Sequence, residues 1–427
     1  MQPAGKLLRC CHANRRAAGI VHRSGYVRET VVVEQIMTTN KWNVDRSAWI
    51  AWTVLFLIVA AIIVLGGHRT VVPSYRQSAL DWLASRQLYD GTGVGGFVYF
   101  PHAAILFMPL AWLPPLPGEV IWRLVNIGTL ALGLHAFARL AGKESRSELF
   151  PLMTLVTIPL AWDCARNGQA TLALTGLMLL AVVDVAQARW WRATLWLCLG
   201  IAVKPLMLVL ALLIAAIIRP MTWRALVGMV VLALSPFLFQ HPSYVLQQYS
   251  ACWQNTTAAA HVGVAVQGWT SPFVTLGFLG LNVPERGQTA IRLLAAVVTW
   301  LASVFVCRRF DAARSAIFVF SMAAVYLMLF SPRTENNTYA MLGPAFAVFA
   351  AQSLLIEKRR GEGVLLAGVA LATAGSRTLG RLLAPGAEAV WLAPVLALCF
   401  AAYLLVRIFE RPAQPAEMKD SCHCWRS

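Results

Sequence analysis

The sequence predicts an all-α, polytopic membrane protein of about 10–12 transmembrane or re-entrant helices. Three observations predict it. Of 427 residues, 58% are hydrophobic and only 13% are charged, about half the charge of a soluble domain. Several windows of eighteen or more residues carry no charge, beginning with AWIAWTVLFLIVAAIIVLGG (Ala48–Gly67), long enough to cross a bilayer core of about 30 Å. The excess of 36 basic over 19 acidic residues, a net charge of +17, falls mostly in short segments between apolar runs. There it acts as a topology signal and not as a nucleic-acid surface.

The chain therefore reads as three parts: residues 1–47, basic, polar and disordered; 48–408, the membrane domain; and 409–427, a cytoplasmic tail. Met37 would make a natural start. The first apolar run has no A-x-A cleavage site after it and reads as an uncleaved anchor. Lys41 and Arg46 flank it, which places the N-terminus in the cytoplasm of a cell whose inner (plasma) membrane holds the protein. A long aromatic loop follows, His68 to about Pro117. Within it FPHAAILFMPLAWLPP is bounded and interrupted by prolines and reads as an interfacial or re-entrant helix.

Spans are then expected at about Gly118–Leu140, Phe150–Trp162 and Ala170–Ala188. Ala193–Ile218 leaves only 26 residues between two basic flanks, whereas two crossings need about 40. That segment must be a pair of short helices broken at Lys204–Pro205. Further spans are about Ala225–Gln240, Thr289–Val306, Ala313–Phe330 and Tyr339–Ile356, with a second long loop at about His241–Gln288. A last hairpin, about Val364–Leu383 and Val390–Val406, brings the C-terminus inside.

Most unusual polar residues then fall on one, extracytoplasmic side, where a pore would spread them along an axis. Lys204 lies at the tip of its broken hairpin with no acidic residue for nineteen positions on either side. Lys204, Arg166 and Arg333 are donor-only cations that suit a phosphate. The alternative for Lys204 is a snorkelling side chain. Aromatic, amide and carboxylate groups suit a sugar: Tyr75, Tyr99, His102, Gln169, Trp269 and Asn336. Asp81, Asp90 and Glu335 are the carboxylates available as a base, against ordinary roles as loop carboxylates or, for Glu335, a pair with Arg333. Asp163 and Arg166 read equally as a helix-capping cluster, and Trp253 and Trp269 as interfacial anchors. No metal or other cofactor is expected. Together the phosphate-suited and sugar-suited groups suggest a lipid-phosphate sugar donor that enters from membrane lipid.

Four segments resemble glycosyltransferase family 87, polyprenyl-phosphate-mannose-dependent mannosyltransferases of the GT-C superfamily. They are YRQSALDWLASRQLYDGTGVGGFVYFPHAAILFMPLAWLP, ARNGQATLAL, WLCLGIAVKPLMLVL and LFSPRTENNTYAMLGP, in the family's order. The resemblance implies a GT-C-like fold with a long first extracytoplasmic loop, and inverting transfer of a hexose, mannose in the family, from the lipid phosphate to an envelope acceptor. It also implies an aspartate base four residues before the tyrosine matched by Tyr75; here that position is Val71. The second proline of Tyr-Pro-Pro is His102, and glutamate and asparagine stand where the last motif has its tryptophan and histidine. Two other classes stay open on the residues alone: a transporter or flippase of a lipid-linked sugar, and a non-catalytic relative in envelope assembly.

Overall fold

The computed structural model describes residues 45–66, 70–91, 96–142, 148–261, 270–331, 334–384 and 391–410. The N-terminal segment before Asp45 and the tail after Glu410 lie outside the described residues, as do His68, Arg69, Trp269 and Arg333. Everything described is built from helices. Seven are long and apolar enough to cross a membrane, or up to eight if a bent pair counts as one span.

Helix α1 (Asp45–Val64) opens the bundle. In the first loop, α2 (Val72–Leu83) precedes the proline-bounded segment, which forms two short helices, α3 (Pro101–Leu106) and α4 (Met108–Trp112). Proline stands in the first turn of each and of α5 (Pro115–Ala141), where its missing N–H breaks no bond. α6 (Phe150–Asn167) runs five residues beyond the predicted span. It ends at Gly168, whose left-handed φ of +68° closes the helix.

α7 (Thr171–Ala186) is almost wholly buried and forms the axis of the bundle. It meets α5 through glycine on both sides. A Cβ on Gly176 would lie 2.2 Å from the Thr129 carbonyl oxygen, and one on Gly133 would lie 2.5 Å from the Gly176 carbonyl. In a bilayer, where hydrocarbon surrounds every helix, such backbone approach is what drives association.

The predicted broken hairpin is present: α8 (Trp190–Val203) and α9 (Met207–Ile217) are interrupted at Lys204–Leu206. α10 (Arg219–Leu234) follows. The second long loop contains a 20-residue helix, α11 (Pro242–His261), and a short one, α12 (Pro272–Phe278). α11 escaped the hydropathy pattern because its buried face, Tyr244, Val245, Gln248, Cys252 and Asn255, has helical spacing but includes two amides. Those side chains dock on the first loop. Leu88 N–H donates to Gln248 Oε1 at 3.0 Å, and the Tyr244 hydroxyl donates to the Arg86 carbonyl at 2.6 Å.

α13 (Glu285–Arg309) and α14 (Ala312–Phe330) pack as a pair with opposite surroundings. α13 leaves Leu293, Leu294, Val297 and Leu301 exposed, as a lipid-facing helix does, while α14 is buried on nearly every side. α15 (Gly343–Ala351) widens into one π-type turn, Gln352–Ile356. The predicted span Val364–Leu383 is instead two helices, α16 (Arg360–Ala374) and α17 (Ser376–Leu383), bent by 84° at Gly375. α18 (Leu392–Phe409) closes the described chain. At the α18 end, buried Arg407 pairs with Glu357 and Glu410, joining α18 to the turn after α15 through charges that would be costly unpaired.

Candidate active site

The site is built on the turn Asn167–Gly168–Gln169 between α6 and α7. Two consecutive side chains of α5 hold this turn. Trp122 Nε1 donates to the Gly168 carbonyl at 2.8 Å, and the Arg123 guanidinium donates to the Arg166 carbonyl at 3.2 Å and to Thr70 Oγ1 at 2.9 Å. Arg123 is fully buried and paired with Glu119 at 3.0 Å. Gly168 is required beside it, because a Cβ there would sit 2.7 Å from the guanidinium carbon. Asn126 Oδ1 accepts from the Ala173 N–H at 3.2 Å, satisfying one free donor at the start of α7.

Lys204 reaches this turn from the α8–α9 break. Its ammonium donates to Thr171 Oγ1, on the first residue of α7, at 3.1 Å. The N-cap residue of that helix, Ala170, offers no capping side chain of its own, and a lysine and a helix N-terminus, two anion-favouring groups, lie one hydrogen bond apart. From the segment after α14 comes Glu335, whose Oε2 accepts from Gln169 Nε2 at 2.7 Å. Burial lowers the pKa of the Lys204 amine, and the Glu335 carboxylate acts in the opposite sense.

Tyr75 and Tyr99 complete the arrangement. Their hydroxyls lie 3.1 Å apart, and the Tyr75 hydroxyl accepts from the Ala170 N–H at 3.3 Å. Tyr75 stacks on Phe107 at 4.6 Å and meets Trp122 edge-on. Burial pushes the Tyr75 phenol up to about 12, although the bonds to Tyr99 and Ala170 act in the opposite sense; it is a neutral hydrogen-bonding group at pH 7. His102 is buried on α3, with neither ring nitrogen hydrogen-bonded. Burial lowers its pKa to about 4, against the opposing effect of the nearby Ile201 carbonyl.

The other predicted residues lie apart. Asp81 is held by Arg86 Nε and Gln77 Nε2 at 2.8 and 2.9 Å. Asp90 is exposed beside Gly91. Arg166 and Asp163 form a 3.6 Å pair on the last turn of α6, so they sit at a helix end and not at the helix start a capping cluster needs. Asn336 Oδ1 accepts from Ser376 Oγ at 2.9 Å and faces α17. Sequence reasoning passed over Arg123, although a cation inside an apolar span is the same signal that singled out Lys204. Thr171 and Cys164, whose thiol donates to the Asn337 carbonyl at 2.9 Å, carry no signal of their own.

The buried His102 has a measurable consequence. The folded protein keeps the ring neutral down to about pH 4, whereas an unfolded chain protonates it near 6.5. Between those values the unfolded state binds more protons, so stability falls as pH drops from about 6.5 and levels off below about 4. The loss attributable to this group is roughly 3 kcal/mol at most. Melting curves in detergent should show a shallower acid decline for His102→Gln than for the wild type.

Comparison with known proteins places this geometry in a family. The sequence profile of glycosyltransferase family 87 matches residues 97–332, more than half of the chain. The chain belongs to glycosyltransferase family 87. With seven or more helices long and apolar enough to cross a membrane among the described residues, it is a multi-pass membrane glycosyltransferase. The family match includes Tyr99, His102, Gln169, Thr171 and Lys204, while Tyr75 and Glu335 fall outside it. This family 87 member is also similar to the polyprenol-phosphate-mannose-dependent alpha-(1-2)-phosphatidylinositol mannoside mannosyltransferase of Mycobacterium tuberculosis. The two are 25% identical over 361 residues, covering 75% of this chain and 81% of that protein.

Proposed function

We propose that the protein transfers a hexose, mannose by preference, from a polyprenyl-phosphate donor to a cell-envelope glycan or lipid acceptor on the extracytoplasmic face. The carrying observation is that Lys204 and Glu335, from distant parts of the chain, are hydrogen-bonded to Thr171 and Gln169, at and just before the start of α7. The hexosyltransferase class follows from the family, and the lipid phosphate is supported by the relative's name.

In this reaction the acceptor hydroxyl attacks the anomeric carbon, the bond to the lipid phosphate breaks, and the configuration inverts. Lys204 and the N-terminus of α7 offset the charge that builds on the leaving phosphate. Glu335, held by the Gln169 amide, takes the hydroxyl proton. Before the donor binds, the same carboxylate partly balances the ammonium. Val71 offers no carboxylate, but its N–H donates to the Asn167 carbonyl at 3.1 Å. Val71 and Glu335 thus flank one turn, and a base at Glu335 would serve the same place. Gln169, Tyr75 and Tyr99 supply the polar and aromatic surface for the sugar.

The test is transfer of labelled hexose from synthetic polyprenyl-phosphate hexose by protein in proteoliposomes. Glu335→Gln should reduce turnover about 100-fold or more while the protein still binds donor. Asp81→Asn and Asp90→Asn should stay within a few-fold of wild type. Full activity in Glu335→Gln would remove it from the mechanism. Donor movement across the bilayer without transfer would favour a flippase.

A further inference from the structure

The far end of α8, about 20 Å along the helix from Lys204, carries a surface that the proposed reaction does not use. α8 and α10 run parallel and start there side by side. Their seam closes at Gly228, where a Cβ would lie 2.6 Å from Cys198 Sγ and 2.8 Å from Thr194 Cγ2. At the shared end the indoles of Trp191 and Trp223 meet edge-on, with centroids 5.3 Å apart. Both are half-exposed, at 55% and 49%. The Arg224 guanidinium lies 4.3 Å from the Trp223 centroid and 5.6 Å from that of Trp191, a cation–π arrangement that holds the charge against the rings. Its Nη1 also donates to the Pro220 carbonyl at 2.6 Å.

Charge here is not balanced. Arg189 and Arg192 flank Asp184 at 3.6 and 3.2 Å, so one carboxylate serves two guanidinium groups. Arg219, the first residue of α10, is exposed. Neither Arg219 nor Arg224 meets a carboxylate among the described residues. Other arginines at this end of the bundle are matched: Arg359 and Arg407 share Glu357, Glu362 and Glu410.

The cluster continues into apolar surface. Leu195 lies one turn beyond Trp191, and Leu226, Val227 and Val230 lie one and two turns beyond Trp223, all 42–59% exposed. Spacings of three, four and seven keep them on the faces that carry the indoles. An occupant therefore meets cations and indole edges at its head and hydrocarbon along its length. A free phosphate would use only the first; a lipid with an anionic head uses both.

We propose that the shared start of α8 and α10 binds an anionic phospholipid, with its phosphate against Arg219 and Arg224 beside the Trp191–Trp223 pair. Its acyl chains run along the exposed leucine and valine face. The lipid thus holds together the two helices that flank α9, independently of the role given to Lys204.

Native mass spectrometry of the full-length protein, delipidated in a neutral detergent, tests this without requiring turnover. Dioleoyl-phosphatidylglycerol should form one saturable adduct at least tenfold tighter than dioleoyl-phosphatidylcholine, which has the same chains and no net charge. An arginine near an anionic headgroup is worth about fivefold. Arg219→Gln with Arg224→Gln should therefore weaken the phosphatidylglycerol adduct about 25-fold and leave phosphatidylcholine unchanged. Arg139→Gln with Arg308→Gln removes the same charge from the last turns of α5 and α13 and should stay within about twofold of wild type. Glycerol phosphate, a head without chains, should not displace the lipid even in large excess. Equal binding of the two lipids, an equal loss in the Arg139 and Arg308 pair, or displacement by glycerol phosphate would overturn the proposal. If the double variant at 219 and 224 does not fold, Arg219→Glu decides, because that side chain is exposed and has no bonded partner among the described residues. A loss of about fivefold or more supports the site, and unchanged phosphatidylglycerol binding refutes it.

Discussion

Lys204→Ala is expected to lower hexosyl transfer about 10²–10³-fold, the usual cost of losing one group that stabilises developing charge. The size of the effect follows from where the ammonium lies. It stands at the start of α7, bonded to Thr171, in a bundle whose interior screens charge weakly. Alanine at a helix break removes only one hydrogen bond, so expression and the monodisperse profile in detergent should be unchanged. Lys204→Arg keeps the charge with a larger planar head and should recover part of the activity. Transfer from radiolabelled lipid-phosphate hexose, measured at saturating and limiting donor, separates loss of binding from loss of turnover. Wild-type rates in Lys204→Ala would exclude the phosphate role.

Gly176→Val is expected to abolish accumulation of folded protein, and Gly176→Ala to lower the melting temperature by several degrees. The obstacle is backbone on both sides: a Cβ at 176 falls 2.2 Å from the Thr129 carbonyl oxygen and 2.7 Å from the Leu130 nitrogen. No flexible side chain can move aside, so α7 would have to withdraw from α5. Overpacking of this kind costs about 1–3 kcal/mol, and more when backbone must shift. Because the turn before α7 carries Gln169 and its first residue is Thr171, any survivor should also lose transfer. Gly128→Ala on the neighbouring helix α5 is the control, since a Cβ there meets nothing within 4 Å. Fluorescence-detected size exclusion and thermal melts would measure both, and a stable Gly176→Val would refute the close α5–α7 contact.

Legibility differed from element to element for physical reasons. The α8–α9 break was readable because span length and charge flanks are arithmetic on the chain. α11 was hidden because its buried face includes the amides Gln248 and Asn255, the first of which bonds the first loop, and a hydropathy window scores such a face as loop. The bend at Gly375 was hidden because an apolar stretch reads alike whether or not it turns. Among the candidate bases, Asp81, Asp90 and Glu335 are equivalent as letters; Arg86 and Gln77 occupy the first, and Gln169 holds the third beside the start of α7.

The sequence by itself determined the solvent, the number of crossings to within a few, the broken hairpin and the family's segments, because hydropathy, charge bias and proline act locally along the chain. Only the tertiary structure decided which carboxylate the Gln169 amide holds beside the start of α7 and which arginine holds the turn there. Those are meetings of residues up to 166 positions apart, as for Gln169 and Glu335. Such pairs are set by how helices pack, and glycine contacts such as Gly133 against Gly176 leave no periodic trace in composition.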